Sequence, residues 1–163
     1  MNAKIALHES WKAPLLPEFE ADYMARLEAF LLGEKAAGKQ IFPNSEEWFR
    51  ALELTPLEKV RVVILGQDPY PKPSDPVGLS FSIPPDRRKL PPTLKNIFKE
   101  LNSDLGVPIP DHGDLTPWAQ QGVVLLNRTL TCRCGESNSH SKIGWSTFTE
   151  ACVSALAGSG CVA

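Results

Sequence analysis

With 163 residues, 42% of them hydrophobic and 22% charged, the chain has the size and apolar content of one globular domain with a sizeable core. A formal net charge of −2 excludes a protein that binds nucleic acid through overall basicity, so any such contact needs a local basic face. No apolar run is long enough to span a membrane, and the N-terminus lacks the basic, apolar and small-residue pattern of a secretory signal.

Residues 1–15 read as mixed, with Pro14 and Pro17 as breaks. Phe19, Tyr23, Leu27, Phe30 and Leu31 recur at helical spacing and predict a helix from Phe19 to Ala37, stopped by Gly38. Ile41-Phe42-Pro43 is short and extended. Asn44 with Glu47 three residues later predicts a capped helix whose buried face is Trp48, Phe49 and Leu52.

The stretch from Val60 to Tyr70 is the most informative. Its first half is β-branched and apolar, the pattern of a strand buried on both faces. Gly66 then permits a sharp turn, and Pro69 forbids further ladder pairing. Gln67 and Asp68 therefore stand just past the C-terminal end of a buried strand, where open parallel sheets collect ligands. Asp68 as a plain turn residue is the competing reading.

Four prolines between Pro69 and Pro76 predict a rigid loop, and Gly78 to Ile83 reads as a second short strand carrying Phe81. Arg87, Arg88 and Lys89 form a short basic run among prolines. Thr93 to Leu105 is predicted as a helix with Leu94, Ile97, Phe98 and Leu101 on one face and Gly106 at its end. Thr116 to Gln121 is a short helix, Val123 to Asn127 a third buried strand, residues 128–144 a long polar loop, and Ser146 to Leu156 a last helix. Cys132, Cys134, Cys152 and Cys161 lack a zinc-finger spacing and read as free thiols of a reducing cytoplasm.

Gly66-Gln67-Asp68-Pro69-Tyr70 resembles the water-activating motif of the family 1 uracil-DNA glycosylases. Gly78-Leu79-Ser80-Phe81-Ser82, Leu90-Pro91-Pro92-Thr93, Gly122-Val123-Val124-Leu125-Leu126-Asn127, and Ser139-His140 with Gly144-Trp145 agree in order and spacing. The resemblance runs from about Trp11 to Thr149. It implies a three-layer α/β/α fold with a short, mostly parallel sheet, and a cofactor-free, metal-free hydrolysis of the bond between deoxyribose and uracil in single- or double-stranded DNA, the first step of base excision repair. It also implies a monomer with no membrane contact, cytoplasmic in a bacterium.

By the same resemblance Asp68 is the catalytic carboxylate, favouring a cationic sugar and accepting a proton from water. The planar amide of Asn127 can donate to O4 and accept from N3–H of uracil, a pattern that cytosine reverses. Phe81 would stack on the base, flipped out of the helix. Tyr70 would exclude the thymine methyl group by bulk, and the backbone near Gln67 would meet the base. Pro92 and Thr93, opening a helix, would hold a DNA phosphate, and His140 is expected to be structural.

Two departures stand out. The family motif commonly continues with His after Tyr; here Pro71 follows. The family also has a further strand and a His-Pro-Ser-Pro-Leu-Ser loop with no counterpart in residues 1–163. A single domain over 1–157 that lacks its last strand, followed by a flexible tail over 158–163, is therefore expected, with an unpaired apolar edge beside Val123 to Leu126. The alternative reading is an impaired or inactive fragment that keeps weak DNA binding.

Overall fold

The computed structural model describes residues 7–158; apart from Gly158, the expected tail lies outside them. Helix α1 (Glu9–Glu20) runs straight through Pro14 and Pro17, where the sequence predicts a break. Each proline removes an intrahelical donor, at about 3 kcal/mol in a helix interior. Tertiary burial outweighs that penalty: Trp11 and Leu15 are completely buried, and Trp11 Nε1 donates to Thr55 O at 2.8 Å. The helix predicted over Phe19–Ala37 is divided at Ala21, whose ψ of 146° separates α1 from α2 (Asp22–Ala36). Gly38, at φ 74°, turns the chain away after α2.

β1 (Ile41–Phe42) pairs antiparallel with β4 (Cys132–Arg133). The predicted Asn44 cap does not form; Ser45–Glu47 is one 3₁₀ turn before the short helix α3 (Arg50–Leu54). The Trp48 indole closes this turn instead, donating to Pro43 O at 3.0 Å. α4 (Pro92–Leu105) begins on a proline and ends at Gly106 with φ 66°, as its sequence signals require. α5 (Thr116–Gln120) leads into β3 (Val123–Asn127), which pairs in parallel with β2 (Val62–Gly66) from Val62↔Val123 to Gly66↔Asn127. α6 (Trp145–Ala157) closes the core against α1. The fold is α/β, with helices around a small sheet of parallel strands.

Two expectations about strands are corrected. β2 is not buried on both faces: Val62 and Leu65 are 42% and 54% exposed, whereas Val124, Leu125 and Leu126 of β3 are at most 1% exposed. Among the described residues each of the two strands pairs only with the other, but α3 and α5 pack on β3, so the exposed apolar side chains lie on β2 and not on β3. Gly78 to Ile83 is an irregular loop, not a strand. Its backbone passes so close to the 3₁₀ turn before α3 that a Cβ on Gly78 would lie 2.1 Å from Glu47 O, and Phe81 sits at φ 65°. The loop's donors are satisfied singly, Ser80 N by Leu125 O and Ile83 N by Gly113 O, both at 3.0 Å.

The loop over 128–144 is less polar in its surroundings than its sequence suggests. Thr129, Leu130, Thr131, Cys132 and His140 are all buried, and β4 lies within it.

Candidate active site

The register of the parallel pair places Gly66 directly opposite Asn127, so both strands end at the same level. Gly66 is required there by close approach. A Cβ at this position would lie 2.2 Å from Asn127 Oδ1 and 2.9 Å from Ser80 Cβ. Gly66→Ala is therefore expected to push the Asn127 amide aside and to destabilise the protein by about 1–3 kcal/mol, the range for overpacking. A urea melt checks the stability; an unchanged midpoint would show that the amide moves freely.

Beyond the strand ends, Gln67, Asp68, Tyr70, Phe81, Thr93 and Asn127 line one open cavity of about 240 Å³. That is below the ~300–1,000 Å³ of pockets for drug-sized ligands and suits a small planar group. Asn127 is 9% exposed, and among the described residues its side-chain amide makes no hydrogen bond. A nearly buried amide facing a cavity without a protein partner is suited to bind a ligand's polar edge. The φ of 65° at Phe81, costly for a non-glycine residue, turns this side chain into the cavity wall. Tyr70 Oη donates to Phe81 O at 3.3 Å, which leaves it to accept from Thr93 Oγ1 at 3.0 Å. Burial raises the Tyr70 phenol above its ordinary pKa, so it stays neutral.

Pro92 lies outside this cavity, in an adjoining groove that Thr93 shares with Lys72, Arg87, Arg88 and Lys89. Arg87 is held by Asp75 at 2.9 Å and by Pro73 O at 2.9 Å. His140 is completely buried and does not line the cavity.

Sequence reasoning missed the groups that hold Asp68. Ser137 Oγ lies 3.2 Å from Oδ1 and 3.0 Å from Oδ2, and the Asn138 N–H donates to Oδ2. Gln67 Nε2 reaches Oδ1 at 3.3 Å. The only hint in the sequence is the run of small polar residues just before Ser139-His140. Below the site, burial first and the charge of Asp68 second push the Cys132 thiol up to about 12, which keeps it protonated and inert. Among the described residues no cluster of His, Cys, Asp or Glu could hold a metal ion, and no helix is long and apolar enough to cross a membrane.

No protein-family model matches the chain. Curated proteins do. It is 55% identical over 156 residues to the uracil-DNA glycosylase of Rhizobium meliloti, covering 96% of this chain and 64% of that one. It is 53% identical over 154 residues to that of Acinetobacter baumannii, covering 94% of this chain and 65% of the relative. The crystal structure of mimivirus uracil-DNA glycosylase superposes with a TM-score of 0.88 at 31% identity, over 96% of this chain and 58% of that one. Over nearly its whole length the chain is thus similar to uracil-DNA glycosylases. It spans slightly less than two thirds of the curated glycosylases that it matches.

In this glycosylase homologue the loop that touches Asp68 is anchored behind the cavity. Arg133 forms a two-point ion pair with Glu34 and a second pair with Glu136 at 3.1 Å. Trp145 Nε1 donates to Thr131 Oγ1 at 2.7 Å, and that hydroxyl lies 2.8 Å from His140 Nδ1. An indole only donates, so the Thr131 proton is free to point at Nδ1. Nε2 then carries the ring proton and faces Glu34 Oε2 at 3.7 Å, beyond hydrogen-bond reach.

Burial holds the His140 pKa below its ordinary value, and hydrogen bonding to Arg133 holds that of Glu34 down. In both cases the unfolded chain binds more protons, so stability falls with falling pH. The His140 contribution is full above about pH 6.5 and is lost as pH falls below it. The Glu34 contribution is lost at lower pH, from the ordinary value of 4.5 downward through its folded pKa. The melting temperature is expected to decline from pH 7.5 to pH 5, and less steeply in His140→Gln. Parallel curves for the two proteins would remove His140 from this account.

Proposed function

We propose that this chain removes uracil from DNA by hydrolysing the bond between deoxyribose and base. One observation carries the reading: Asp68 and an unpartnered Asn127 amide flank one small cavity at the C-terminal ends of adjacent parallel strands. The homologues' name, uracil-DNA glycosylase, supports the same reading.

Breaking this bond leaves a sugar with cationic character and a departing anionic base. The Asp68 carboxylate favours the cation and accepts a proton from the attacking water. The Asn127 amide donates to O4 and accepts from N3–H. Cytosine presents the reverse pattern and would leave both groups unpaired, at a few kcal/mol. The phenol of Tyr70, fixed by Phe81 O and Thr93, stands against a 5-methyl group and so excludes thymine. Phe81 stacks on the base, and the backbone at Gln67 borders it. A base that enters this cavity has to leave the base stack.

Pro92 and Thr93 at the start of α4 take a DNA phosphate, with Arg88, Lys89 and Lys72 exposed beside them. We read the chain as a single domain over 1–157, acting as a monomer on single- or double-stranded DNA in the cytoplasm as the first step of base excision repair.

The test is a labelled single-stranded oligonucleotide with one deoxyuridine, treated with alkali after incubation. Strand cleavage at deoxyuridine, and none in matched oligonucleotides carrying thymidine or deoxycytidine, is the expected result. A folded protein that leaves the deoxyuridine strand intact refutes the proposal.

A further inference from the structure

A carboxylate on a turn can rotate about two bonds, and a donor that touches both oxygens constrains its plane from a single atom. At Asp68 the Gln67 amide reaches Oδ1 alone and the Asn138 N–H reaches Oδ2 alone. Among the described residues Ser137 Oγ is the one donor within reach of both, at 3.2 and 3.0 Å. Ser137 is exposed, so this contact matters only if the loop holds the hydroxyl in place without help from Asp68. Its neighbours provide that. Gly135 N donates to Pro71 O, Cys134 N to Gln40 O and Arg133 N to Ser139 Oγ, each at 2.8 Å. The Arg133 ion pairs with Glu34 and Glu136 add a further tether.

We infer that Ser137 is a positioning residue for the reaction: its hydroxyl sets the plane of the Asp68 carboxylate so that one oxygen faces the attacking water. This rests on the reading of Asp68 as the group that directs that water. Ser137 acts through Asp68, while the base is met by Asn127, Phe81 and Tyr70 from other elements. Its loss therefore falls on the chemical step rather than on binding. One charge-assisted hydrogen bond corresponds to about 1.5 kcal/mol, or roughly tenfold in rate.

The experiment measures single-turnover excision and KM for the wild type, Ser137→Ala, Ser137→Thr, Asp68→Asn and the double variant Asp68→Asn/Ser137→Ala. Ser137→Ala is expected to lower kcat about tenfold with KM and melting temperature nearly unchanged. Ser137→Thr, which keeps the hydroxyl, returns kcat towards the wild-type value. In the Asp68→Asn background the alanine costs nothing further, because the carboxylate it orients is gone. A Ser137→Ala enzyme equal to wild type, equal losses in Ala and Thr, or multiplicative losses in the double variant overturn the role of Ser137 and leave Asp68 standing. An Asp68→Asn enzyme as fast as wild type, or a wild type without turnover, removes the reading of the site and this inference with it.

Discussion

Asp68→Asn is expected to lower uracil excision by about 10²–10⁴-fold, the range for a positioned general base. The change is nearly isosteric. The new amide would still offer one carbonyl oxygen to Ser137 and to the Asn138 N–H, so the loop contacts largely survive. The stability cost is on the order of 1 kcal/mol, one weakened hydrogen bond. What disappears is a negative charge in the cavity and, on the proposed mechanism, the proton acceptor for water. Binding of a uracil-containing strand is expected to persist, because the groups proposed to read the base lie on Asn127, Tyr70 and Phe81. Single-turnover excision, circular dichroism and fluorescence anisotropy separate these quantities. Activity within tenfold of wild type would mean that another group directs the water.

Trp145→Ala has the largest expected effect on folding. Trp145 is completely buried at the start of α6, with Trp48, Phe49 and Phe148 edge-on at ring-centre distances of 6.0, 6.0 and 6.2 Å. Truncation of a buried Trp typically costs about 3–5 kcal/mol. For a chain of this size that lowers the melting temperature by roughly 6–20 °C. It also deprives Thr131 Oγ1 of its indole donor, so the Thr131–His140 contact behind the Asp68 loop loses its support. Excision should therefore fall together with stability. Trp145→Phe, which keeps the packing and loses the donor, is expected to melt between the two. A drop of only a few degrees in Trp145→Ala would show that α6 is held mainly through Phe148 and Leu156.

The elements most legible in the sequence are those whose local signals agree with their surroundings. α4 has proline at its start, glycine at its end and an apolar stripe between, and it forms within a residue of its expected bounds. β2 and β3 are β-branched runs closed by polar residues, and each ends where Gly66 and Asn127 indicate. The polar groups after these strands were readable as a candidate site for the same reason. The C-terminal end of a strand in a parallel sheet is where ligands collect.

What sequence alone determined, then, is the ends of the strands, the helix α4 between its proline and its glycine, and the residue types that meet in the cavity. These depend on φ preferences, missing donors and apolar periodicity, all local quantities. Tertiary structure decided the rest. It carried α1 through two prolines because Trp11 and Leu15 had a core to enter. It denied a strand to Gly78–Ile83 because that backbone is pressed against Glu47. It left the exposed apolar side chains on β2 rather than β3 by where α3 and α5 pack. It also brought Ser137, 69 positions away in the chain, onto Asp68. Contacts between distant residues depend on how the elements pack together, and no local preference of either segment encodes that.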